Sequence, residues 1–156
     1  MSGASVSFDE NLSGVGLRIG IVQARFNDHI TDAMTDVCQA ELRVLGVAED
    51  DIDVVTVPGA LEIGLALNSL EKSSDYDGLV AIGCVIRGDT YHFEIVCNES
   101  CRAVTQIGLE TGMPIANAIL TVENEAQAQA RIVKGRDAAR VVVEMARLVE
   151  QIADGC

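Results

Sequence analysis

Apolar residues recur along the chain in two alternating rhythms. Nearly unbroken runs at residues 17–23 (LRIGIVQ), 52–57 (IDVVTV), 78–86 (GLVAIGCVI) and 115–121 (IANAILT) read as strands. Stretches with helical spacing fall between them at residues 30–45, 60–70 and 90–109, and two more follow the last strand at 125–132 and 137–153. Ile30, Met34, Val37 and Val44 lie near one stripe of the first helix, and Gly46 is placed to end it. Pro58-Gly59 turns the chain into the second helix, which carries Leu61, Leu65 and Leu67. In the last helix Ala138, Val142, Met145, Val149 and Ile152 step by three or four, the spacing of a core-facing stripe.

The 78–86 run is continuous rather than alternating, so both of its faces are expected to be covered, as in a parallel sheet between helices. The order β-α-β-α-β-α-β-α predicts a three-layer α/β/α sandwich around a four-stranded parallel sheet with right-handed crossovers. Ligands in such sheets bind beyond the carboxyl ends of the strands. Chemistry is therefore expected just after Gln23, Val57, Ile86 and Thr121.

Composition narrows the class of function. At 156 residues, 49% hydrophobic, 22% charged and with two Pro, the chain is expected to form one packed domain, residues 17–156, behind an N-terminal extension, residues 1–16. Lys plus Arg number 11 against 24 Asp plus Glu, a formal charge of -13 that argues against nucleic acid and anionic membrane as partners. Five basic residues nevertheless cluster late in the chain, Arg131, Lys134, Arg136, Arg140 and Arg147, which leaves room for a small-anion site. No apolar run is long enough to span a bilayer, and residues 1–16 lack the pattern of a secretory signal, so a cytoplasmic address is expected. Cys38, Cys84, Cys97, Cys101 and Cys156 form no CxxC pair, and reduced thiols are the simplest reading. Cys97 and Cys101 stand at i and i+4, but two sulfurs without a nearby His make a poor zinc site, so no metal is expected.

Four stretches after the strands carry the candidate chemistry. Phe26 in Arg25-Phe26-Asn27-Asp28 offers either a stacking surface for a flat ring or a hydrophobic staple on a helix capped by Asn27 or Asp28. In Val57-Pro58-Gly59-Ala60-Leu61-Glu62, the turn offers backbone amides at a helix start, and Glu62 either accepts from ligand hydroxyls or complements the helix dipole. Cys84-Val85-Ile86-Arg87-Gly88-Asp89-Thr90 leads into His92. Gly88 permits close approach to the backbone, Thr90 is a capping residue type, and His92 is of the residue type suited to proton transfer near neutrality. A structural or surface role for His92 is the alternative. Past the last strand, Asn117 and Thr121-Val122-Glu123-Asn124 precede Arg131 and Lys134, which are either a solvated basic face or a counter-charge for phosphate.

Taken in order, these stretches resemble the 6,7-dimethyl-8-ribityllumazine synthase family of riboflavin biosynthesis. The likeness rests on Arg25-Phe26-Asn27, on residues 57–62 (VPGALE), on residues 83–90 (GCVIRGDT) with His92, on Cys97-Asn98-Glu99, and on Leu120-Thr121 with Glu123-Asn124. It implies a flavodoxin-like fold and a transferase that condenses 5-amino-6-(D-ribitylamino)uracil with 3,4-dihydroxy-2-butanone 4-phosphate, releasing phosphate and water without a cofactor. By matching positions it implies that Phe26 stacks on the pyrimidine beside Asn27, that Ala60, Leu61 and Glu62 hold the ribityl chain, and that Cys84, Val85 and Ile86 offer main-chain contacts. Asp89, Thr90, Arg131 and Lys134 would hold the phosphate, and His92 would move protons.

The resemblance further implies a homo-oligomer, a pentamer or an assembly of pentamers, with each active site between adjacent subunits. Two departures stand out. Asn117 occupies a fourth-strand position where the family commonly has an aromatic that reaches the neighbouring site. The stretch between Arg131 and Lys134-Gly135 is also shorter than in many shell-forming members, which favours a free pentamer. A phosphorylated receiver domain fits poorly, since its magnesium needs strand-end carboxylates where this chain has Arg25 and Arg87. A binding-only module and a catalytically silent scaffold remain the rival readings.

Overall fold

The computed structural model describes residues 7–73 and 75–155; Cys156 and the first six residues of the expected extension lie outside them. Four strands, β1 (Ile19–Ala24), β2 (Ile52–Val57), β3 (Gly78–Ile86) and β4 (Ile115–Val122), pair in parallel in the order β2-β1-β3-β4. Helices α1 (Asp28–Val44), α2 (Ile63–Ser73), α3 (His92–Thr111), α4 (Glu125–Ala130) and α5 (Lys134–Gly155) connect and follow them. The expected three-layer α/β arrangement is observed.

The sheet is buried because its side chains divide between two cores. Ile19, Ile21, Val80, Ile82, Ala118 and Leu120 pack with α1, α4 and α5 on one face. Val22, Leu79, Ala81 and Ile119 pack with Ile63 and Leu67 of α2 and Val104 of α3 on the other. β1 and β3 are central and buried throughout most of their length, which explains their unbroken apolar runs. Each fully buried aliphatic side chain contributes about 1.5–3 kcal/mol relative to exposure.

The helix ends follow local chemistry, with some shifts from the sequence expectations. Gly46, at φ 103, stops α1 as expected: Gly46 N–H donates to Arg43 O at 3.0 Å and Val47 N–H to Leu42 O at 3.0 Å. The second helical segment begins as a single 3-10 turn at Ala60–Glu62 before α2 proper, and there Leu61 and Leu65 face outward while Leu67 is buried. In α5 the buried stripe is Ala138, Ala139, Val142, Val143 and Ala146, whereas Met145, Val149 and Ile152 are exposed. A Cβ at Gly135 would lie 2.3 Å from Met34 O of α1, so the start of α5 is pressed against α1 and small residues occupy the contact.

Ion pairs secure the layers from outside. Glu41 of α1 is buried at 5% exposure and accepts from Arg140 Nε at 2.5 Å and Arg136 Nε at 3.3 Å, joining α1 to α5. At the amino ends of the strands, Asp53 Oδ2 accepts from Tyr76 OH at 2.7 Å and from Arg18 Nη2 at 2.8 Å. These two donors, the tyrosine foremost, hold the Asp53 carboxyl below the usual aspartate range. A depressed folded-state value contributes stability above the unfolded pKa and loses it as pH falls through the folded one. Asp53→Asn is therefore expected to be less stable than the parent at neutral pH, with the gap closing below about pH 4. Urea midpoints measured across that range check this; a gap independent of pH refutes it.

Candidate active site

The carboxyl ends of β1, β2 and β3 open into one cavity of about 460 Å³. Phe26, Ala60, Leu61, Glu62, Cys84, Val85, Ile86, Thr90 and His92 all line it. The backbone explains why they converge. Arg25 N–H donates to Val57 O at 2.8 Å and Phe26 N–H to Pro58 O at 3.1 Å, which stitches the end of β1 to the turn after β2. Phe26 is left 72% exposed, so its ring stands as an open wall of the cavity rather than a staple on α1.

Asn27 follows in the left-handed region at φ 64 and occupies the cap position of α1 without a side-chain cap bond. Its carboxamide is used elsewhere: Nδ2 donates to Cys84 O at 2.9 Å. β1 pairs with β3 only as far as Gln23 with Ile82, so the carbonyl of Cys84 lies beyond the last rung and Asn27 supplies the missing donor. This bond also fixes the loop that carries Phe26. Asn27 thus borders the site through the backbone it holds, and it is not among the residues lining the cavity.

On the far wall, a Cβ at Gly88 would meet nothing within 4 Å, which leaves the backbone there open to the cavity. Thr90 does not cap α3 in the expected manner. The cap position belongs to Tyr91, and Thr90 Oγ1 instead accepts from His92 N–H at 3.4 Å because the helix starts later than expected. Asp89 is exposed and stands outside the lining.

The remaining candidates lie across β4. Asn117, Arg131 and Lys134 line a second cavity of about 710 Å³, formed by residues 116–122 of β4 with α4 and α5. Arg131 Nη1 donates to Gln127 O at 3.0 Å, and Lys134 Nζ sits 3.7 Å from Asp137. Within one chain the expected phosphate cations and His92 therefore belong to different cavities. Sequence order alone grouped them, because each follows a strand end.

An aromatic wall, an acid, open main chain and an imidazole around one crevice match a site for a flat, hydroxylated molecule. The sequence model of the 6,7-dimethyl-8-ribityllumazine synthase family matches residues 16–150. The chain belongs to this family. It is 58% identical to the 6,7-dimethyl-8-ribityllumazine synthase of Leptothrix cholodnii over 98% of this chain and 100% of that one. With the protein of the same name from Polaromonas it shares 56% identity over 98% of this chain and all of the relative. The corresponding protein of Paraburkholderia phytofirmans is 59% identical over 90% of this chain and 84% of its own.

Two further residues of this crevice, Phe93 and Val96, were not singled out from the sequence. Phe93 lines the cavity beside His92, and Arg87 Cζ lies 4.4 Å from the centre of its ring. The pairing of an Arg at a strand end with an aromatic at the next helix start was the available signal.

Cys84 lines the cavity yet is only 3% exposed, and burial, aided by the Glu125 carboxylate, pushes its thiol up to about 11. Burial pushes Cys38 up to about 12. Both are neutral thiols near neutrality and unsuited to nucleophilic work. Iodoacetamide at about pH 8 is expected to leave both unlabelled in the folded protein and to label both in urea, as read by peptide mass mapping. Labelling of folded Cys84 at the rate of free cysteine contradicts this environment.

Proposed function

We propose that this protein condenses 5-amino-6-(D-ribitylamino)uracil with 3,4-dihydroxy-2-butanone 4-phosphate to give 6,7-dimethyl-8-ribityllumazine, phosphate and water, at a crevice shared between neighbouring subunits. One observation carries the reading: Phe26, Glu62, the Cys84–Ile86 main chain and His92 surround a single cavity in a chain of this family. In the assignment we favour, Phe26 stacks on the pyrimidine, Ala60 to Glu62 receive the ribityl hydroxyls, and the main chain of Cys84, Val85 and Ile86 meets the uracil edge. Thr90 and the backbone beside it receive the phosphate. Asp89 contributes its amide at most, since its carboxylate repels an anion.

The separation of the two cavities supports composite sites. Asn117, Arg131 and Lys134 of one subunit complete the crevice formed by Phe26 and His92 of the next, supplying the positive charge that this half lacks. Large apolar side chains stand exposed for such an assembly: Leu65 of α2, Leu109 of α3 and Val44 of α1 are each at least 74% exposed in the single chain. A homopentamer working in the cytoplasm is the form we favour. Among the described residues no helix is long and apolar enough to cross a membrane.

The amine attacks the ketone, water leaves to form an imine, phosphate is eliminated, and ring closure expels a second water. Each step moves a proton, and His92 is placed to accept and return it at the cavity wall. Holding the two substrates side by side supplies much of the rate, and a positioned acid-base adds about 10²–10⁴-fold.

The assay is direct. Purified protein with both substrates is expected to form lumazine, read by its fluorescence, with release of phosphate. Product at the uncatalysed rate overturns the proposal. His92→Ala is expected to lower kcat on the order of 100-fold while leaving the native mass by light scattering unchanged. Arg131→Ala is expected to raise KM for the phosphorylated ketone about tenfold or more, with little change for the uracil. Equal effects on both substrates remove Arg131 from the phosphate site.

A further inference from the structure

Arg87 stands between the two cavities of one chain and is bonded toward both. Its backbone N–H donates to Val122 O at 2.9 Å, extending the β3–β4 ladder one step past the end of β3. One arm of its guanidinium, Nη1, pairs with Glu94 in the first turn of α3, and Cζ lies over the ring of Phe93. Nε donates to Glu123 Oε2 at 2.6 Å, just beyond the end of β4. From there the path continues: Glu123 N–H donates to Gln127 Oε1 at 2.8 Å, and Gln127 O accepts from Arg131 Nη1 at 3.0 Å. The two carboxylates raise the affinity of the guanidinium for its proton, and Arg87 in turn holds the Glu94 carboxyl below the usual range.

We propose that Arg87 is a positioning residue that sets both half-sites at once. Through Glu94 and Phe93 it fixes the first turn of α3, where His92 stands; through Glu123 and Gln127 it fixes the α4 segment that presents Arg131. The planar fork is the feature that matters. A guanidinium spans two carboxylates in fixed directions and covers an aromatic face, whereas an ammonium is a point charge that does neither well. Displacement of a reacting group by about 1 Å costs on the order of 100-fold in rate, so the turn of α3 needs such a brace. The inference rests on the composite lumazine synthase site proposed above.

Because the two arms lead to different cavities, their loss reads out differently. Glu94→Gln loosens the His92 turn and is expected to lower kcat about tenfold with KM for the phosphorylated ketone nearly unchanged. Glu123→Gln loosens the Arg131 arm and is expected to raise that KM about tenfold with kcat nearly unchanged. Arg87→Lys keeps the charge but loses the fork, and both changes are expected together. A brace serving stability alone lowers the melting temperature and the active fraction without separating kcat from KM. Parent protein that makes no lumazine sinks the proposed function. An active parent whose three variants show no such split overturns the role of Arg87.

Discussion

The structure depends on the order of its four parallel strands. With β1 and β3 in the middle, crossovers must cover both faces with helices, and this accounts for the unbroken apolar runs and the two separate cores. The same order brings the loops after β1, β2 and β3 to a common edge. Phe26, Glu62 and His92 are far apart in the chain, and they meet because parallel strands all end on one side. The fourth strand turns its own successors, Arg131 and Lys134, to the opposite flank. Two separate cavities per chain therefore follow from topology before any side-chain detail.

Charge is handled locally. The chain carries a formal -13, which opposes binding an anionic substrate at long range. Most of the described arginines answer an internal need. Arg140 and Arg136 neutralise buried Glu41, Arg18 pairs with Asp53, and Arg147 caps the carbonyls of Ser13 and Val15, docking the segment ahead of β1 on α5. Arg131, by contrast, spends one arm on Gln127 O in the wall of an open cavity. Placement in a concave wall, rather than the number of cations, sets Arg131 apart from the arginines that serve internal pairs.

Much of this was legible in the sequence. The strand runs, the fold class and the residues around Phe26, Glu62 and His92 follow from hydrophobic rhythm and from their places after strand ends. What the sequence hid was geometric. Asn27 reads as a cap, but its carboxamide goes to Cys84 O because the β1–β3 pairing ends at Ile82, two residues before it. Met145, Val149 and Ile152 fit a helical stripe, yet they are exposed, because which face of α5 is covered depends on the elements packed against it and has no signature in spacing. Nor can linear order tell that Arg131 and His92, both following strand ends, face cavities on either side of β4.

Asn117 carries a final consequence for the exposed flank of the sheet. Leu79 and Arg87 N–H donate to Pro114 and Val122 carbonyls, so by the two-residue period the N–H of Ile119 points away from β3 into the open side of β4. Asn117 Oδ1 takes that donor at 2.9 Å. A side chain bound to its own strand thus blunts the row of free donors that would otherwise template a foreign strand. One backbone donor on the uncovered edge of β4 is therefore satisfied within its own strand.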